Sequence, residues 1–175
     1  MKKISHRLVL ITLAAITASA MATGVSAATP YPQAENLDIL GAVEGRSNRS
    51  TGLTAEVHQA ERNQSGNLLS ITWSISNSGD ERVVLTWMDD RSYAYEGPYF
   101  SGVTAVSSDG NTRYHPVMDG MGACLCSGNL SGDFVQRVEP DEKIAYWSLF
   151  SVPDDMDTVT IEIPEFDPIE DVPIS

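Results

Sequence analysis

Apolar residues in this chain recur at every second position, a period that suits strands and rules out amphipathic helices. Leu53, Ala55 and Val57 alternate with Thr54, Glu56 and His58. Leu69, Ile71, Trp73 and Ile75 alternate with Ser70, Thr72, Ser74 and Ser76. Side chains of a strand point alternately to its two faces, so each run buries one face and wets the other. The second run ends at Asn77-Ser78-Gly79-Asp80, four turn formers, and Val83, Leu85 and Trp87 then restart the pattern. The stretch 68–88 therefore reads as a hairpin or as a crossing between two sheets. Ser108-Asp109-Gly110-Asn111 separates Val103-Thr104-Ala105-Val106 from Thr112-Arg113-Tyr114, and Asp-Gly tolerates the positive φ of a tight hairpin. Ala145, Trp147 and Leu149 alternate again, and Val159, Ile161 and Ile163 make a last strand closed by Pro164.

From residue 28 onward no stretch keeps a 3.6-residue apolar period over three turns. Seven to eight short strands separated by turn signals predict an all-β fold, a β-sandwich. The Cys-Trp-Cys spacing of antibody domains is absent, so the core is expected to rest on the tryptophans. Trp73 and Trp147 fall on the inward register, with Trp87 beside them. The Pro-rich end, residues 164–175, is excluded from a central strand because proline lacks the ladder donor. It is expected to run extended along the sandwich, with Phe166 and Ile169 packed against it.

The first 27 residues read as an export signal. Lys2, Lys3 and Arg7 form a positive start, residues 8–18 an apolar segment, and Val25-Ser26-Ala27 a small-residue cleavage site. The apolar segment is shorter than the ~20 residues of a membrane span. This predicts a secreted or envelope-associated protein that begins at Ala28 or Thr29, with no membrane insertion after signal removal. Residues 28–51 read as a linker or flexible arm, in which only Leu37, Ile39, Leu40 and Val43 offer apolar contacts, most simply as a short edge strand. The sandwich is expected over residues 52–175.

Charge narrows the partners. The net charge is −13, and removal of the signal leaves eight basic residues against 24 acidic ones, about −16. Such a chain has no means of gripping nucleic-acid phosphates, which demand clustered Lys and Arg, and anionic headgroups repel it. The partner is expected to be a protein or cell-envelope ligand of unknown identity.

Several segments in the second half suggest a family. Glu139-Pro140-Asp141-Glu142-Lys143 leads into a strand ending Leu149-Phe150; Val152-Pro153 follows, then Thr158-Val159-Thr160-Ile161-Glu162-Ile163-Pro164. Earlier, Trp73-Ser74-Ile75-Ser76-Asn77 runs into Ser78-Gly79-Asp80-Glu81 at a strand corner. Over residues 52–174 this arrangement resembles the exported immunoglobulin-like domains of actinobacteria, of the DUF4352 and MPT63-like kind. Pro140-Asp141 stands where those domains usually carry Pro-Gly. The resemblance implies an immunoglobulin-like sandwich and an exported address. It brings no catalytic residues.

Chemistry, where present, gathers in two places. Cys124 and Cys126 are the only cysteines. In an oxidising compartment a Cys-x-Cys pair reads first as a local disulfide, and closing so short a loop contributes only ~1.6 kcal/mol in the chain-entropy model. Two alternatives stay open. His115, Met118 and Met121 join the cysteines within twelve positions, a soft donor set that suits copper(I). Thiol–disulfide exchange is the other, although the nearest cations in sequence, Arg113 and Arg137, stand well away. The second place is Tyr93, Tyr95, Tyr99 and Phe100 beside Gly97-Pro98, which form either an aromatic binding surface or a loop packed by its own rings. Hydrolase chemistry has little support: there is no Gly-x-Ser-x-Gly elbow after the signal, and His58 lies on the wet register. The pairs Asp89-Asp90 and Asp154-Asp155 offer oxygen ligands for calcium without an EF-hand spacing. These features favour a non-catalytic binding module over a metal-handling or thiol-redox protein, and either over an enzyme.

Overall fold

The computed structural model describes residues 37–89, 95–128, 131–132 and 134–175. The export signal and cleavage site lie outside them, as do Asp90 and Tyr93. Among the described residues there is no helix, and none therefore that is long and apolar enough to cross a membrane.

The strands are β1 (Gly41–Glu44), β2 (Leu53–Arg62), β3 (Leu68–Asn77), β4 (Val83–Val84), β5 (Thr104–Ser107), β6 (Arg113–Tyr114), β7 (Arg137–Val138), β8 (Lys143–Ser151), β9 (Thr158–Glu162) and β10 (Ile169–Pro173). One antiparallel sheet runs β1-β2-β3-β8, a second β10-β9-β5-β6, and β4 pairs with β7 as a separate ribbon. The inner faces share one core: Leu53, Ile71 and Trp73 from the first sheet belong to the same buried cluster as Ala105, Val159 and Ile161 from the second. That is the layering of a β-sandwich.

β3 keeps the expected phase, with Leu69, Ile71, Trp73 and Ile75 all buried. The stretch 68–88 is a crossing and not a hairpin, since β3 pairs with β2 and β8 while β4 leaves for β7. Ser108 to Asn111 do close the β5–β6 hairpin, with Gly110 at φ 72°. In that turn the Asp109 carboxylate accepts from Ser107 Oγ at 2.5 Å, Asn111 Nδ2 at 2.8 Å and the Asn111 amide at 3.1 Å. These bonds, that of Ser107 foremost, hold the carboxyl down to about 2 from the usual 3.8. A depressed carboxyl contributes above its ordinary value and loses that contribution as pH falls through the folded one. The Asp109 carboxyl resonance should therefore titrate with a midpoint near 2 by NMR, and Asp109→Asn should abolish hairpin loosening between about pH 4 and 2. A midpoint near 3.8 would show that the turn does not hold in solution.

Two expectations are corrected. β8 is buried in the opposite phase. Ile144, Tyr146, Ser148 and Phe150 face inward, while Trp147 stands 39% exposed on the outer face. Both phases of this strand carry apolar residues, and the inward one is disguised by Ser148, whose Oγ accepts from Trp73 Nε1 at 3.2 Å inside the core. His58 is buried and not wet. A bulge falls between Val57 and Gln59, and the arm crosses above it. His58 Nδ1 donates to the Asp38 carbonyl at 2.9 Å, and Nε2 lies 2.8 Å from Ser74 Oγ. The ion pair between Glu56 and Lys143 borders the same spot. The short edge strand expected in the arm is β1, which pairs with β2 from Gly41↔Val57 to Glu44↔Thr54.

The C-terminal stretch is more than a tail. Ile169 and Val172 pair with β9 as the edge strand β10, with Asp171 at φ 56° in the irregularity between them. Pro173 sits at the strand's end, where a missing donor costs the ladder least. Phe166 and Ile169 are buried, as the patterning implied. β10 also approaches β1: an added Cβ on Gly41 would fall 2.4 Å from Ile169 Cγ2, and one on Gly45 would fall 1.9 Å from the Ser50 carbonyl oxygen.

Candidate functional site: the disulfide hairpin

Beyond β8 the first sheet is continued by irregular backbone. The Ser127 amide donates to the Trp147 carbonyl at 2.8 Å, and the Leu149 amide to the Leu125 carbonyl at 2.9 Å. The Val117 amide then donates to the Leu149 carbonyl at 2.8 Å. Residues 117–125 form a small hairpin standing off this edge, closed by the Leu125 amide to Val117 (2.8 Å) and the Asp119 amide to Ala123 (2.9 Å). Its turn is tied by Asp119, whose Oδ1 accepts from the amides of Met121 and Ala123, each at 2.8 Å. Gly122 supplies the positive φ of 85° that the turn requires.

Cys124 and Cys126 are joined as a disulfide with a Cα separation of 5.3 Å, within the range the bond permits. Both are buried, together with Tyr99 and Ala123, in a small cluster separate from the main core. Tyr99 is the seat of this cluster: Gly128 lies so close that an added Cβ would fall 1.7 Å from Tyr99 Cδ1. Tyr95 packs on the cluster's rim, and its hydroxyl donates to the Pro116 carbonyl at 2.7 Å. Phe100 is fully buried in the main core. Of the two readings of this segment, aromatic surface or packed loop, the described Tyr95, Tyr99 and Phe100 follow the packed one: two rings support the hairpin and the third fills the sandwich.

The exposed apolar groups lie elsewhere. Met121 at the hairpin tip is 78% exposed and Met118 is 47% exposed; with Trp147 they are three of the six exposed large hydrophobics among the described residues. By strand alternation, Val117 and Leu125 face the same side as Trp147 and Leu149. Trp147 is exposed there, and Val117, Leu125 and Leu149 are half-buried.

The soft donor set does not converge as its spacing suggested. Met118 is the register partner of Cys124, and His115 and Met118 border one cavity of about 320 Å³ beside Tyr95. Met121 stands 78% exposed at the hairpin tip, and the joined sulfurs supply no thiolate. His115 also borders a larger cavity of about 400 Å³, whose floor is the Arg113–Glu162 ion pair at 2.6 Å. Among the described residues no group of three or more His, Cys, Asp or Glu is placed to hold a metal ion. The Ser74–His58 contact has the spacing of a nucleophile and base, yet Ser74 is fully buried.

The Cys124→Ala/Cys126→Ala protein should remain folded. It is expected to lose about 2 kcal/mol or less by denaturant unfolding, since so short a loop removes little unfolded-state entropy. Amide exchange should accelerate over residues 117–127 and not in β2 or β3. Global unfolding would show that the bond supports the whole sandwich. No protein-family profile, no curated protein and no solved structure matches this chain.

Proposed function

We propose that this protein is an exported, non-catalytic binding module of the cell envelope or extracellular space, and that the disulfide hairpin is its contact surface. The observation that carries the reading is the display of Met121 and Met118 on a hairpin fixed by a disulfide, an Asp119-capped turn and an aromatic seat. Exposed apolar residues cost solubility, and gathering them on a braced projection makes sense when a partner covers them. Methionine side chains adapt to irregular surfaces, and tryptophan contributes large contact area with few torsions lost.

The immunoglobulin-like form of the sandwich, and its resemblance to the DUF4352 and MPT63-like exported domains of actinobacteria, belong to the same proposal. The Lys2-Lys3-Arg7 start and the Val25-Ser26-Ala27 site support export, and the acidic charge favours a partner that is neither nucleic acid nor anionic lipid. The absence of a catalytic role is supported by the burial of Ser74 and by His58 contacting it and the Asp38 carbonyl inside the fold.

A second reading, small-scale copper or thiol handling, draws on the pairing of Met118 with Cys124, which would set a thioether beside two thiols on reduction. Stoichiometric copper on reduced protein, lost in Met118→Leu, would favour it.

The test has two parts. The N-terminus of protein recovered outside the producing cell should read Ala28 or Thr29 by mass spectrometry. That protein should co-sediment with the cell-envelope fraction, and Met121→Glu should reduce the bound share at least about tenfold with unchanged far-ultraviolet dichroism. Intact Met1 on membrane-integrated material, or equal binding by the variant, would overturn the proposal.

A further inference from the structure

Arginines are scarce in this acidic chain, and two of them meet at one cavity that shares no lining residue with the disulfide hairpin. Arg49 reaches it from the turn after β1, and Arg82 from the residue before β4. Val83, Val84, Thr86 and Trp87 complete the wall of a space of about 460 Å³. A third cation stands next door, because Arg137 on β7 is the register partner of Val84.

We propose that this cavity binds a monoanionic organic carboxylate with a flat apolar body. Three features carry the inference. First, both guanidinium groups are incompletely engaged. Arg49 meets Glu165 at 3.6 Å and Arg82 meets Glu139 at 3.7 Å, both longer than a hydrogen bond, and each arginine side chain is more than half exposed. A carboxylate entering the cavity meets planar donor forks that the resident glutamates do not engage at hydrogen-bonding distance. Second, the cavity carries apolar surface where a purely ionic site needs none. Val84 is 44% exposed, and Trp87 is partly exposed, its ring fixed from behind by Phe166 at a centroid distance of 6.3 Å. A held indole is a ready platform for a flat group.

Third, the arms that hold the arginines are braced. The turn carrying Arg49 is closed by the Ser50 amide to the Ser47 carbonyl at 3.1 Å and by the Ser50 hydroxyl to the Glu165 carbonyl at 2.8 Å. β4, which follows Arg82, is paired with β7. The charge balance sets the class further. Glu165 and Glu139 flank the arginines, so a dianionic phosphate meets more repulsion than a single carboxylate does.

Phenylacetate, phenylacetamide and inorganic phosphate, titrated into the mature protein by NMR, separate the possibilities. The Trp87 indole signal should shift saturably with phenylacetate in the millimolar range, with Trp73 and Trp147 as internal references. Phenylacetamide should bind at least about tenfold more weakly, since it lacks the charge the forks recognise, and phosphate should not match phenylacetate. Arg49→Gln and Arg82→Gln should each weaken phenylacetate about tenfold, with near-ultraviolet dichroism unchanged. Equal affinity for the amide would overturn the proposal. So would phosphate binding as tightly as phenylacetate, binding insensitive to both arginine substitutions, or no saturable shift at Trp87.

Discussion

Trp73→Ala should remove about 3–5 kcal/mol from the unfolding free energy, a large fraction of the ~5–15 kcal/mol that holds a typical domain folded. Trp73 is fully buried on β3, its ring 4.8 Å from Tyr146 and 6.0 Å from Phe100 by centroid. Truncation deletes a large volume that the surrounding strands are unable to collapse into, because both neighbours β2 and β8 hold β3 in long ladders. It also strips the Ser148 hydroxyl of its donor in the middle of the core. Trp147→Ala is the matched control. That ring lies on the outer face, so its loss should cost about 1 kcal/mol or less. Urea unfolding of both variants decides the matter: equal losses, or a larger one for Trp147, would mean that β8 is buried in the other phase.

Phe100→Ala should cost a similar amount, about 3–5 kcal/mol, and should leave any surface binding to folded protein untouched. Its ring meets Phe134 and Tyr146 edge-on at 4.8 Å each and has no exposed surface. Because Phe100 and Trp73 touch, the double variant should lose less than the two single losses added together; a shared cavity is opened only once. A loss below about 1 kcal/mol for Phe100→Ala would restore the aromatic segment as an open surface.

Strand alternation reported faithfully wherever one phase was polar. β3 and β9 read correctly because the outward positions that follow each of Leu69, Ile71, Trp73, Ile75, Val159 and Ile161 are Ser, Thr or Glu, so only one phase was able to face the core. β8 read wrongly because Ile144, Tyr146 and Phe150 compete with Ala145, Trp147 and Leu149, and the deciding hydrogen bond, Trp73 to Ser148, joins residues 75 positions apart. His58 was misplaced for a related reason. The bulge and the crossing arm that bury it are tertiary features, and a histidine among polar neighbours carries no mark of either. The Cys-x-Cys loop was legible as chemistry but not as architecture, since nothing local signals that it would extend the edge of β8. The arginine cavity left no trace in the sequence: Arg49 and Arg82 are far apart in the chain and only the fold places them on one wall.

The seam between the chain's two ends bears on the order of folding. The Ser50 hydroxyl and the Arg46 amide both bond to the Glu165 carbonyl, Gly45 bridges Phe166, and the Ser175 amide donates to the Ala60 carbonyl. These contacts join residues more than a hundred positions apart, and β1, β2 and the region after β9 are each left with open backbone until they form. A chain lacking residues 165–175 has no edge strand β10 and lacks these seam bonds. Contacts of this range also carry the largest loop-closure entropy, which places the fold among slow, late-committing ones. The seam closes only once residues 165–175 are in place against residues 45–60.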